Sequence, residues 1–139
     1  MTAPDPGLAV PSLVPSAALA LAGFEHRRMD VEGVMVKHAI GGSGPPLLLL
    51  HGYPENHLMW RHVAPALADH HTVVVADLRG YGDSGKPAPD AAGLVYAKRS
   101  MARDQAGSCG NSALASSGLS AMTAAPGWRT GWCWIIPAP

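Results

Sequence analysis

The chain has 139 residues, 47% of them hydrophobic and 14% charged, with a formal net charge of +0. This length suits one domain with a modest core, and the composition excludes a disordered chain. Neither sign of charge is in excess or clustered, so no nucleic-acid partner is expected, and Arg27-Arg28 reads as solvated surface.

Residues 1–22 are rich in Ala, Pro and Leu and read as a flexible leader. No basic residue precedes the apolar stretch, and Asp5 does, which argues against a secretion signal. No run reaches transmembrane length, so a cytoplasmic location without a membrane partner is expected. Cys109 and Cys133 have neither zinc-site spacing with histidines nor the density of a disulfide framework. No metal and no cofactor is expected.

His26–Val31 and Val34–Ile40 read as two strands joined by the turn-like Glu32-Gly33, a hairpin with one buried face. Gly41–Pro46 is a breaker run. Leu47–Leu50 is continuously apolar, the pattern of a strand covered on both faces, and His51-Gly52-Tyr53-Pro54 interrupts it. Leu58–His70 has helical spacing through Met59, Val63, Ala66 and Leu67, but Pro65 requires either a bend or a second turn. Thr72–Ala76 is β-branched and apolar and reads as the next buried strand. Asp77–Gly85 is a polar, glycine-rich loop. This alternation predicts an α/β sheet, with function beyond the carboxyl ends of its strands. Ala88–Gly93 reads as a linker, and Tyr96–Gln105 as the start of a helix. After Gln105 acidic residues cease, Gly, Ser and Ala dominate, and Trp128, Trp132 and Trp134 crowd together without helical or strand patterning.

Residues 24–105 resemble the N-terminal part of α/β-hydrolases of the haloacetate (fluoroacetate) dehalogenase and epoxide hydrolase group. The resemblance rests on GGSGPPLLLLHGYPENHLMWRHVAPALA, VVVADLRGYGDSGKP and YAKRSMARDQ, in that order. The implied fold class is α/β: the N-terminal part of an α/β-hydrolase fold with an incomplete central sheet and no cap domain. The resemblance implies that the backbone N–H of Tyr53 is an oxyanion or halide-side donor, vestigial here. Such a fixed dipole stabilises developing negative charge without reorganising. Gly52 lets the backbone turn and Pro54 stiffens the exit. His51 resembles a structural histidine that joins loops, Glu55–Met59 the pocket rim, and Trp60 a core residue. Asp77 and Arg79 resemble a loop-anchoring pair. Asp83 and Ser84 read as loop and cap chemistry, and Ser84 sits in no G-x-S-x-G elbow. The remaining histidines, His26, His38, His57, His62, His70 and His71, and the acids Asp83, Asp90 and Asp104 form no spacing that singles out a triad.

The resemblance also implies an Asp nucleophile on a Gly-His-Asp-Arg-Gly elbow, a later acid and a terminal histidine, and no such string occurs. The genetic code offers an explanation. When each codon takes the last base of one codon and the first two of the next, Met122-Thr123 must give Asp, Trp132-Cys133 Val, Cys133-Trp134 Leu and Trp134-Ile135 Asp. With permitted third bases, the stretch from Leu119 reads Val-Gly-His-Asp-Arg-Gly-Ala-Arg-Val-Ala-His-Arg-Val-Val-Leu-Asp-His-Pro. A one-base frame disturbance between Gln105 and Cys109 is therefore expected. The residue after the recovered Asp can be Arg and cannot be Trp, because Thr123-Ala124 yields only a codon ending in GC. Paired arginines suit a small carboxylate substrate.

The expected organisation is a leader over 1–22, a partial hydrolase domain over 23–105 and an out-of-frame, disordered tail over 106–139. The parent activity implied is hydrolytic dehalogenation of a small 2-haloacid, with this chain inactive. An epoxide hydrolase-like parent and a non-catalytic Trp-rich binding module are the alternatives. An incomplete sheet is also expected to leave a buried-type strand edge open.

Overall fold

The computed structural model describes residues 20–110, 119–123 and 133–136. Most of the leader, Trp128 and Trp132 lie outside them. Among the described residues, six strands form one sheet in the order β1-β2-β4-β3-β5-β6.

β1 (Glu25–Val31) and β2 (Val34–Gly41) are an antiparallel hairpin, with Met29 opposite Val36. Their turn takes positive φ at Glu32 (51°) and Gly33 (83°), the twist that suits a two-residue hairpin. Asp30 accepts the Gly33 N–H at 2.8 Å and fixes that turn. β3 (Pro46–Leu50) runs parallel to β4 (Thr72–Ala76), and β2 pairs with the other edge of β4 in antiparallel sense.

The β3–β4 crossover is not one helix. A 3-10 turn over His57–Trp60 is followed by α1 (Ala64–Ala68). Pro65 lies in the first turn of α1, where its missing N–H has no helical acceptor to lose. Of the two outcomes open for Pro65, the second turn is the one adopted.

The sheet buries both faces. Leu47, Leu49, Val73, Val75 and Ala39 pack with Trp60 and Ala64 on the crossover face, while Leu48, Val74 and Ala76 pack on the other. Each fully buried Leu or Val contributes about 1.5–3 kcal/mol of apolar transfer, so the two apolar runs supply the centre of the core. Leu21 joins the first cluster, and its carbonyl accepts the Phe24 N–H at 3.1 Å. Leu21, in the segment read as leader, is thus part of the core. α2 (Lys98–Gly110) packs against the β1–β2 hairpin.

β5 (Leu119–Thr123) runs parallel to β3, and β6 (Cys133–Ile136) runs antiparallel to β5. Both edges of β3 are thus paired. Among the described residues, no helix is long and apolar enough to cross a membrane.

Candidate functional site

Two loops leave the carboxyl ends of the adjacent parallel strands β3 and β4: residues 51–57 and residues 77–85. A network centred on Asp77 joins them.

His51 is buried and bonded at both ring nitrogens. Its Nε2 accepts the Leu78 N–H at 3.0 Å, so the ring proton sits on Nδ1, which donates to the Gly52 carbonyl at 2.9 Å. A histidine engaged in this way ties the loops together and has no lone pair left for a substrate proton. Glu55 N–H donates to the Gly52 carbonyl at 3.0 Å and closes the turn around Tyr53-Pro54, which is a cis peptide. Asn56 Oδ1 accepts the Leu58 N–H at 3.0 Å and caps the 3-10 turn.

Asp77 is fully buried and works as an acceptor. It receives the His57 N–H at 2.7 Å, the His57 Nδ1–H at 2.9 Å and the Asp83 N–H at 3.0 Å. Burial pushes its carboxyl up, but the His57 ring bond, the amides of Asp83 and His57, and the His57 charge outweigh this and hold it below the usual aspartate value. A carboxylate loaded in this way is a clamp; its oxygens are already committed. Gly82 follows from the clamp. With φ of +48° and a would-be Cβ falling against the Asp77 carboxylate, no larger residue fits.

Ser84 extends the network to β2. Its hydroxyl donates to the Asp77 carbonyl at 2.7 Å and accepts the Lys37 N–H at 2.9 Å. It bridges a loop to a strand; it caps no helix. Arg79 points the other way, toward α2. Its Nε donates to Asp104 Oδ2 at 2.6 Å, its Nη2 donates to the other oxygen, and its Nη1 donates to the Val95 carbonyl at 2.9 Å. The Asp104 bond leads the effects that raise its already high pKa. This buried fork pins the middle of α2 to the loop after β4.

The other predicted positions divide cleanly. Gly52 is buried and Pro54 exposed. Trp60 lies in the core at 8% exposure. Tyr53 is 71% exposed, with its ring edge-on to Tyr81, which in turn stands edge-on to His51. No acceptor for the Tyr53 N–H occurs among the described residues. His57, Asp104 and the bridging role of Ser84 are not apparent from sequence, because their partners lie 20, 25 and 47 residues away. Among the described residues, no group of His, Cys, Asp or Glu could hold a metal. The arrangement presents one loop amide and an aromatic rim on a clamped scaffold.

Residues 45–108 match the family described as "alpha/beta hydrolase fold". The chain is 59% identical over 85 residues to a fluoroacetate dehalogenase of Burkholderia sp, covering 60% of this chain and 27% of that protein. It is 44% identical over 79 residues to a soluble epoxide hydrolase of Corynebacterium sp. (strain C12), covering 57% and 26%. A crystal structure of a proposed α/β hydrolase from Nostoc sp PCC 7120 superposes with a TM-score of 0.69 at 39% identity, covering 75% of this chain and 36% of that one. The chain thus spans about a quarter of the length of the curated relatives it matches. By fold, the chain has the N-terminal part of an α/β-hydrolase fold, and by sequence it resembles the N-terminal part of the fluoroacetate dehalogenase and epoxide hydrolase group.

Proposed function

We propose that the parent activity of this chain is hydrolytic dehalogenation of a small 2-haloacid such as haloacetate, and that these 139 residues alone do not catalyse it. The observation that carries the parent reading is the 59% identity to a fluoroacetate dehalogenase. An epoxide hydrolase-like parent is the second reading, favoured by the 44% identity to a soluble epoxide hydrolase.

In this reading Tyr53 N–H faces developing negative charge, while His51, Gly52, Pro54, Asp77 and Arg79 hold its loop. Trp60 supports the rim from the core. The missing component is the nucleophile. No acidic residue follows Asp104, and no G-x-S-x-G elbow occurs. The neighbouring-frame reading accounts for the gap. The forced Asp at Met122-Thr123 falls at the carboxyl end of β5, where Thr123 pairs with Leu50 beside the 51–57 loop. The carboxyl ends of parallel strands are where such sheets carry their chemistry. In this reading the segment 106–139 is out of frame and the hydrolase domain is 23–105.

The test is halide release. The purified chain, given fluoroacetate or chloroacetate, is expected to liberate no fluoride or chloride above the blank. Sustained turnover would overturn the inactivity. Sequencing the gene tests the frame: codons after Gln105 incompatible with Val-Gly-His-Asp-Arg-Gly would remove that explanation. A frame-restored chain that opened an epoxide and released no halide would decide for the second reading.

A further inference from the structure

The network around Asp77 contains a histidine pair that the proposed chemistry does not use. His26 on β1 stands edge-on to His57 of the 51–57 loop, with ring centroids 5.9 Å apart and an interplanar angle of 71°. The two rings differ in surroundings. His57 gives its Nδ1–H to the fully buried Asp77 at 2.9 Å, which holds its ring in place. His26 has a buried Nε2 with no hydrogen-bond partner.

From β2, Lys37 presents a positive charge to His26; from the second loop, Asp83 presents a weaker negative one; and the Leu21 carbonyl lies on the chain before β1. Asp77 is faced in addition by His51, whose Nε2 is 4.0 Å from Oδ1, and from β2 by His38. The exposed Glu25 and Arg27 flanking His26 pair with each other at 2.7 Å.

We propose that the His26–His57 contact is an acid-sensitive catch that fastens the amino end of β1 to the 51–57 loop. When His26 takes up a proton, the edge contact holds a cation with a buried, unpartnered Nε2 beside Lys37, and Asp83 offers it only a weaker opposite charge. The weaker partner yields: residues 21–27 leave the crossover face while Asp77 keeps its hold on His57. Loss of Leu21 and Phe24 from the core cluster then loosens the packing under the 3-10 turn. Burial and the charges of Lys37 and His57 push His26 below the usual histidine value, outweighing the Leu21 carbonyl and Asp83.

Hydrogen exchange of the full chain, corrected for the intrinsic pH effect, tests this at about pH 7.5 and about pH 5.5, either side of the imidazole range. Protection in peptides covering 21–28 and 52–60 is expected to fall about tenfold at the lower pH, with β3 and β4 changing less. His26→Phe keeps a ring at the contact and removes this titration, so its loss of protection on acidification should be clearly smaller than that of the unmodified chain, the remainder being due to His38. Should His26→Phe fail to fold, His26→Gln makes the same comparison. Equal protection of the unmodified chain at both pH values overturns the catch, as does a neutral variant that loses protection as the unmodified chain does.

Discussion

Replacing Asp77 with Ala removes one carboxylate and leaves three donors without an acceptor: the buried His57 N–H and His57 ring N–H, and the part-buried Asp83 N–H. Each unsatisfied buried donor costs about 1–3 kcal/mol. Relief from desolvating the carboxylate, and water entering the space left by the side chain, offset part of the sum. A net loss of about 3–4 kcal/mol follows, a large share of the roughly 5–15 kcal/mol typical of a folded domain. Asp77→Asn keeps one acceptor oxygen but turns an NH2 group toward the donors, so it should lose about 2 kcal/mol. Urea unfolding of the full chain, followed by tryptophan fluorescence at constant m, measures both. If Asp77→Ala leaves too little stability to fit, loss of the native far-UV circular dichroism without denaturant reads the same outcome. An Ala variant within about 1 kcal/mol of the unmodified chain, or one no worse than Asn, would refute the clamp.

Gly82→Ala places a methyl group against the Asp77 carboxylate at φ +48° and is expected to cost about 2–4 kcal/mol. Because it acts through Asp77, the double variant Gly82→Ala/Asp77→Ala should lose clearly less than the sum of the two, whereas simple additivity would place the glycine strain elsewhere. Stability should also fall on acidification through His38, which is buried at 1% exposure with neither ring nitrogen hydrogen-bonded. Burial pushes its pKa down, against smaller opposing effects of Gln105, Asp77 and Val36. The unfolded state therefore binds the proton more readily. The contribution of His38 is complete above about pH 6.5 and is lost as pH falls from there toward its lower folded value. His38→Met should flatten part of that slope, and a stability that is level or rising between about pH 7 and about pH 5 would contradict the assignment.

The parallel core was legible because its signal is local. Leu47–Leu50 and Thr72–Ala76 are short apolar runs that only a doubly covered strand accommodates, and they pair as β3 and β4. The hairpin was legible for the same reason, since Glu32-Gly33 sits between two alternating segments. The crossover was half-legible: periodicity over Leu58–His70 suggested a continuous helix, and Pro65 marked where it divides into a 3-10 turn and α1. Loop anchoring by Asp77 and Arg79 could be expected from motif resemblance, but their partners could not. No local pattern marks His57, Asp104 or Ser84 as a partner, and only the closed fold brings them to Asp77, Arg79 and Lys37. Tertiary partners at that range leave no trace in windows of ten or so residues.

The pairing of β5 with β3 has a consequence for how a scaffold and its chemistry come apart. A strand joins a neighbour through amides and carbonyls that every residue except proline possesses in full, so the slot beside β3 accepts Leu-Ser-Ala-Met-Thr over Leu119–Thr123. The proposed parent reaction, displacement at carbon, demands something the main chain does not carry, a side-chain carboxylate. Architecture is written largely in a vocabulary shared by all residues, and reactivity in the identity of a few. A chain can therefore keep the first after losing the second, and its silhouette among hydrolases says nothing about turnover.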